Sequence, residues 1–508
     1  MPTISRRALL RSALTIAAAQ FAAGYKLQTA LADTPKVRVD KDPFALGVAS
    51  GDPSTDGFVI WTRLLNVDAA AAPVSFEIAA DENFRRVAQH GTIATLASGG
   101  HSAHVEVRGL RPGADYWYRF RCADAQSPVG HARTIALRPQ RLKAALTSCQ
   151  HWEQGFFSAY ADAIEQGVEV FLQVGDYIYE ESFGAGPDVR KFGSLAPTTL
   201  EEFRERHALY RSDPHLRRAH AFAPFIVTWD DHEVRNDYAG AHGAFGVDPA
   251  MFRSIRAAAY QAYFEHMPLR PVRRPRGPDM PLYRSMPYGR LVDLSVLDTR
   301  QYRTPKPCGG GQSALCDAAR NPAATILGER QREWLFDHLA ASPARWHVLA
   351  QQVMMARLDL VAGPPEEFSM DKWTAYQADA QAVLDFFGTG KVSNPVVLSG
   401  DIHSNWACDL HAAPADQKSA IVAAEFVGTS ITSGRDGVEI SARNQAILPE
   451  NPHVKFHNGQ RGYVRCTIGR DRWTTDYRVV PFVSRPGASV ETRASLVVEN
   501  GRPGVHRA

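Results

Sequence analysis

The chain has 508 residues, 44% of them hydrophobic and 22% charged, which is material for a large core and for two or three domains. Lysine and arginine exceed aspartate and glutamate by only 57 to 54, a formal net charge of +3. That balance excludes a basic field built for nucleic acid, and no acidic tail is present.

The first 32 residues have the three parts of a signal peptide. Ser5-Arg6-Arg7-Ala8-Leu9-Leu10-Arg11 is followed by a moderately apolar stretch, Ser12 to Gly24, and then by small residues at Ala30-Leu31-Ala32. The paired arginines specify the twin-arginine export machinery, which carries folded proteins. The apolar stretch is too short and too alanine-rich to span a bilayer, and no later segment has a transmembrane run. The expected destination is the periplasm or the exterior.

Residues 43–138 read as short strands and turns. FALGVASGDP runs into a turn, and GFVIWTRL and VSFEIAAD have strand length and pattern. Leu110-Arg111-Pro112-Gly113 precedes Tyr116, Tyr118 and Phe120 at alternate positions, a pattern like the tyrosine corner of immunoglobulin-like sandwiches. No His, Asp or Cys cluster occurs here, so the expected role is structural or substrate-shaping.

From Leu142 strands alternate with helices, which predicts an α/β architecture over residues 142–485. Helices are expected at Phe156 to Gln166, Thr199 to Leu216, Asp248 to His266, Gly328 to Leu339 and Ala375 to Phe387, with Thr199 as a cap. Residues 486–508 are expected as a tail ending in a hairpin. Of six cysteines, Cys308 and Cys316 flank CGGGQSALC, which reads as a local disulfide in an oxidising compartment and not as a zinc site.

Four strands end in polar clusters. Ala144–Thr147 leads into Ser148-Cys149-Gln150-His151. Val170–Val174 leads into Gly175-Asp176 and Tyr179. Phe225–Trp229 leads into Asp230-Asp231-His232-Glu233, with Asn236-Asp237 behind. Val396–Ser399 leads into Gly400-Asp401-Ile402-His403. Parallel strands bring such ends side by side. Thiolate, phenolate and imidazole suit a transition metal, whereas several Asp and Asn oxygens suit a hard cation. Asp176 is the natural bridge between two ions.

GDYIYE and GDIHSNW, with SCQ and TWDDHEVRND on strands in the same order, resemble the PhoD-type alkaline phosphatases. These are also described as phospholipase D-like and fall within the calcineurin-like metallophosphoesterase superfamily. The resemblance covers nearly the whole mature chain and includes RAAAYQAYFEHMPLR and LDTRQYR. Relative to purple acid phosphatases, Cys149 stands in place of the first Asp, Asp231-His232 replaces Asn-His, and Asp401 replaces a His. The resemblance implies a four-layer sandwich of two mixed β-sheets with flanking helices, preceded by an all-β immunoglobulin- or fibronectin-like domain. It also implies ferric iron with calcium. Cys149, Asp176, Tyr179 and His403 would hold iron. Asp176, Asp231, Asn236 and Asp401 would face calcium, with Asp230 as the alternative to Asp231. His232 would contact phosphate or support the ligands by hydrogen bonds. Arg235 reads as a solvated cation, the other reading being that it neutralises substrate charge.

The expected activity is hydrolysis of phosphate mono- or diesters by a metal-activated hydroxide, with no Ser or Thr nucleophile. Two other readings are a phosphodiesterase acting on phospholipids or cell-wall polymers, and an exported binding module with a structural metal site. For a diester, the sandwich or the Cys308–Cys316 loop would form one wall of a groove.

Overall fold

The computed structural model describes residues 41–184, 186–243 and 246–508. The leader read at residues 1–32 lies outside the described residues. None of the described helices is long and apolar enough to cross a membrane.

Two mixed sheets pack face to face. In the first, the parallel strands Arg141–Thr147, Val170–Val174 and Phe225–Thr228 lie side by side, with Leu172 opposite both Leu146 and Ile226. In the second, Val292–Val296, Trp346–Ala350, Pro395–Ser399 and Ile421–Val427 are parallel neighbours. The long strand Val454–Gly469 belongs to both: its start pairs with Asn405–His411 and its end with Arg141–Thr147 and Arg472–Val480.

Side-chain alternation along each strand separates the cores. Val170, Leu172 and Val174 face the inter-sheet core together with Leu146, Leu294, Val348, Val396 and Val464. Phe171 points the other way, into a layer built with Phe203, Tyr210, Tyr260 and Tyr263 of the outer helices. Helices Glu329–Ala341 and Gln377–Gly388 cover the other face through Leu335, Leu339, Val383 and Leu384. The result is the four-layer arrangement.

The N-terminal strands form the expected sandwich. Val48–Gly51, Phe58–Arg63 and Ser102–Val107 face the sheet containing Ala71–Ala79, Val87–Leu96 and Asp115–Cys122, with Ile60, Val74, Ile78 and Tyr118 between them. The tyrosine corner is present: the Arg111 amide donates to Tyr116 Oη at 3.0 Å. The sandwich is not detached from the α/β part. Gly51 pairs in parallel with Phe225, so one of its sheets extends the first of the two mixed sheets.

Two local expectations need correction. The helix expected over Thr199 to Leu216 is two helices, Leu200–Arg211 and Pro214–Phe222. Asp213 caps the second, accepting from His215 N and Leu216 N, and Pro214 occupies its first turn, where its missing N–H costs nothing. The first carries the expected cap, a capping box between Thr199 and Glu202. Residues 486–508 are also not a free tail. The hairpin Glu491–Glu499 and Arg502–Arg507 is there, but it pairs with Arg472–Val480 and forms the sheet's outer edge, burying Leu496 and Val498 in the inter-sheet core.

Candidate metal centre

The carboxyl ends of the parallel strands from both sheets meet at one place. The turns that leave them are tight, and four of the sequence-selected residues have left-handed backbone: Cys149 (φ 56°), Asp176 (52°), Asp401 (67°) and His403 (57°). Such conformations are costly for non-glycine residues and concentrate at functional sites. Gly175 is required where it stands: a Cβ there would lie 2.7 Å from the Asp230 amide nitrogen. The missing side chain lets two strand ends touch.

Three donor groups result. Donor atoms of Cys149, Asp176 and His403 lie within 4.8 Å of one another, as do those of Asp176, Asp231 and His232 and those of Asp230, Asp231 and Asp401. Asp176 belongs to the first two and Asp231 to the last two. Tyr179 joins the first group, with Oη 2.8 Å from Asp176 Oδ2 and 3.1 Å from His403 Nε2. Ser433 Oγ donates to the same phenol oxygen at 2.7 Å. Asn236 is half-buried on the cleft wall beside Asp231. Arg235 is half-buried, and its guanidinium donates to the Val234 and Pro197 carbonyls at 2.9 and 2.6 Å.

Asp230 and Asp231 point to different partners, as neighbours leaving a strand must. Asp230 Oδ1 is held by Arg300 Nε, while Asp231 lines the open cleft. Asp231 Oδ2 accepts from the Asp237 amide at 2.6 Å.

Several participants carry no strand-end signature. Arg300 is fully buried and reaches four carboxylates. It contacts Asp230, donates to both oxygens of Asp371 at 2.8 Å, and lies 3.6 Å from Asp231 and 3.5 Å from Asp401. Lys372 Nζ lies against Asp401 Oδ2. Glu233 accepts from the amides of Asp176 and Asp230 at 3.2 and 2.8 Å, clamping two strand ends together. Glu180 accepts from the Asn236 amide at 2.6 Å and pairs with His232 Nδ1 at 2.7 Å. The stretch LDTRQYR contained Arg300, but nothing local marks it as a partner of residues 70 positions away.

The electrostatics are those of a site with excess negative charge. Burial pushes the Asp176 carboxyl up to about 8, with Asp231 and Asp230 adding to it against the pull of His232. Burial also raises Asp230 to about 6, against Arg300, and drives the Cys149 thiol well above its ordinary value. His403 is pushed down to about 3 by burial and then by Arg461. Asp176 Oδ1 and Asp230 Oδ2 are buried without a hydrogen-bond partner. Buried oxygens left open beside a thiol, a phenol and an imidazole fit cations. A cation would reverse the cost of ionising these groups.

The site opens to a cleft of about 410 Å³ lined by Asp176, Asp231, His232, Asp401 and His403 on one side and by Met354, Leu358 and Leu360 on another. The Cys308–Cys316 disulfide is formed, and its loop supplies Gly311 and Gln312 to the cleft wall, whereas no residue of the sandwich lines it.

Comparison with known proteins gives concordant findings. The model of the PhoD-like phosphatase family matches residues 144–477, and that of the PhoD-like phosphatase N-terminal domain matches residues 28–136. The chain is 45% identical over 480 residues to alkaline phosphatase D of Bacillus subtilis (strain 168), covering 92% of this chain and 82% of that protein. It also superposes on a solved structure of PhoD with a TM-score of 0.91 at 43% identity, covering 94% of this chain and 93% of that one.

Proposed function

The chain belongs to the PhoD-like phosphatase family and is a phosphoric ester hydrolase, and from that premise we propose that its four strand ends hold a dinuclear iron–calcium centre. Cys149, Asp176, Tyr179 and His403 would hold ferric iron, and Asp176, Asp231, Asn236 and Asp401 would hold calcium. The observation that carries this reading is Asp176, whose carboxylate groups with Cys149 and His403 on one side and with Asp231 and His232 on the other. Sulfur, phenol and imidazole on one side match a transition metal, and oxygens on the other match a hard cation. Asp231 is preferred to Asp230 on the calcium side because Asp231 lines the cleft while one oxygen of Asp230 is tied to the Arg300 guanidinium; Asp230 Oδ2 stays open toward the same group.

Such a pair, when bound, activates water for in-line attack on phosphorus and offsets charge on the phosphoryl oxygens. The chain's own residues do the rest. His232 has Nδ1 committed to Glu180, which leaves Nε2 to donate to a phosphoryl or leaving-group oxygen at the cleft. Lys306 and Lys372, paired with Asp237 and Asp401, and Arg443 line the same cleft and offset part of its acidic charge toward an anionic ester. Met354, Leu358 and Leu360 give the ester's organic group an apolar wall and shed water from the reacting side.

A purely structural metal site closes its coordination, whereas catalytic sites keep positions open. A 410 Å³ cleft that opens onto six of the candidate residues supports the second case. No feature of the cleft favours a phospholipid or polymer diester over a monoester. We further read the leader at residues 1–32 as a twin-arginine signal, which sends the folded protein to the periplasm or beyond.

Metal analysis of natively exported protein, with rates on p-nitrophenyl phosphate and its bis ester, tests the proposal. One iron with calcium, lost on chelation together with hydrolysis, is the expected result. Full activity in iron-free protein would overturn the iron assignment.

A further inference from the structure

We propose that a second cleft, at the opposite pole of the sheets from the metal centre, binds a compact multivalent anion of phosphate chemistry. The cleft encloses about 680 Å³, within the range of small-ligand sites. Arg138, Arg290, Arg345 and Arg470 line it from four separate chain segments, and no Asp or Glu does. Among the described residues none of the four pairs with a carboxylate within 4.0 Å. Arg300, in contrast, lies within that distance of four carboxylates.

The walls are cross-tied. Asn394 has left-handed backbone at φ 46°. Its Nδ2 donates to the Arg345 carbonyl at 2.8 Å and to Asn500 Oδ1 at 2.7 Å, and its Oδ1 accepts from Gly501 N at 2.7 Å. The Arg345 amide donates to the Arg290 carbonyl at 3.0 Å. Two of the arginine-bearing segments, those of Arg290 and Arg345, are therefore held in one frame with Asn394 and Asn500, and the ligand would not have to organise their backbone.

The location makes this a site apart from the reaction. Arg345 and Asn394 stand just before the strands Trp346–Ala350 and Pro395–Ser399, and the second of these leads at its other end to Asp401. Five residues of strand separate the two poles by roughly 17 Å. Four arginines lining one concavity raise the local positive potential, and guanidinium groups bind phosphate oxygens bidentately. Convergence from several sides suits a compact anion with three or more charges, whereas a linear polyanion would be served by a stripe.

Calorimetry of the metal-loaded full chain with inositol hexasulfate tests this, since that probe has no phosphoester to hydrolyse. The expected result is one saturable site, weakened by salt. Binding should fall at least about tenfold in Arg290→Gln/Arg345→Gln, with kcat/KM on p-nitrophenyl phosphate unchanged, and should persist in Asp176→Asn. If the first pair of changes impairs folding, Arg138→Gln/Arg470→Gln, at exposed positions, should give the same loss. Binding untouched by both pairs, or lost only with Asp176→Asn, would overturn the proposal. So would binding of linear dextran sulfate with none of the hexasulfate.

Discussion

The phenol of Tyr179 donates to Asp176 Oδ2 at 2.8 Å across a three-residue turn, so a proposed iron ligand and the proposed bridge lean on each other. Their losses should nevertheless differ. Asp176→Asn removes a charge shared by two donor groups and should impair both metals, lowering kcat by about a thousandfold or more. Tyr179→Phe should chiefly alter the iron. Elemental analysis of the two variants checks this, and retention of both metals with full activity in Asp176→Asn would return the stretch to an ordinary turn.

The Cys149 thiol is buried beside Asp176 and His403. Thiolate and phenolate bound to ferric iron absorb visible light by charge transfer. Loaded wild-type protein should therefore be coloured, and Cys149→Ala should weaken or shift the band. A colourless wild type of full activity would remove iron from the assignment.

Arg300 is the cation that the acidic strand ends require. Arg300→Met leaves Asp230 buried without its partner, while Asp371 keeps Arg303 Nη1 at 2.7 Å, a loss of about 3–5 kcal/mol by the cost of breaking a buried pair. Arg300→Lys should restore little, because a single ammonium cannot replace the two parallel bonds to Asp371. Chemical denaturation of both variants measures this, and a Lys variant as stable as wild type would contradict it.

The candidate residues could be picked out in the sequence because most of them stand in short motifs just after one of four strands, each with a recognisable donor. Arg300, Asp371 and Lys372 could not, because their importance comes only from contacts between segments far apart in the chain. Asp230 and Asp231 could not be separated for a similar reason. Adjacent residues leave a strand in different directions, and which direction faces the cleft depends on where Arg300 sits. The break between Leu200–Arg211 and Pro214–Phe222 did have a local signal, Asp213-Pro214, a cap followed by a first-turn proline. The pairing of Gly51 with Phe225 had none, since a single bridge between domains leaves no periodicity.

The Cys308–Cys316 bridge closes a loop of separation 8 that presents Gly311 and Gln312 to the cleft. Replacing both cysteines by serine should cost about 2–3 kcal/mol by loop-closure entropy. Because the loop is a wall and not a ligand, KM should rise by more than kcat falls. Steady-state kinetics with and without reductant distinguish this from a change confined to stability, in which both constants would stay fixed at low temperature.

Glu425 offers a pH test away from the metal ligands. Its carboxyl is buried in the strand Ile421–Val427 and accepts from the amides of Met355 and Ala356 at 2.7 Å each and from Ser399 Oγ at 2.6 Å. Burial nonetheless raises it from 4.5 to about 7, the three hydrogen bonds pulling the other way. A raised carboxyl binds its proton more tightly in the folded chain. The unfolded chain therefore ionises first as pH rises through 4.5, and folding loses stability until the folded group ionises near 7. Above that the loss is complete, at roughly 3 kcal/mol. Glu425→Gln cannot ionise and should flatten this part of the profile, although it also exchanges an acceptor for a donor near two amides and lowers stability at pH 5. The measurement is the difference in Tm between variant and wild type at pH 5 and at pH 7.5. It should shift in the variant's favour at the higher pH, and a difference independent of pH would show that Glu425 keeps its ordinary ionisation in the fold.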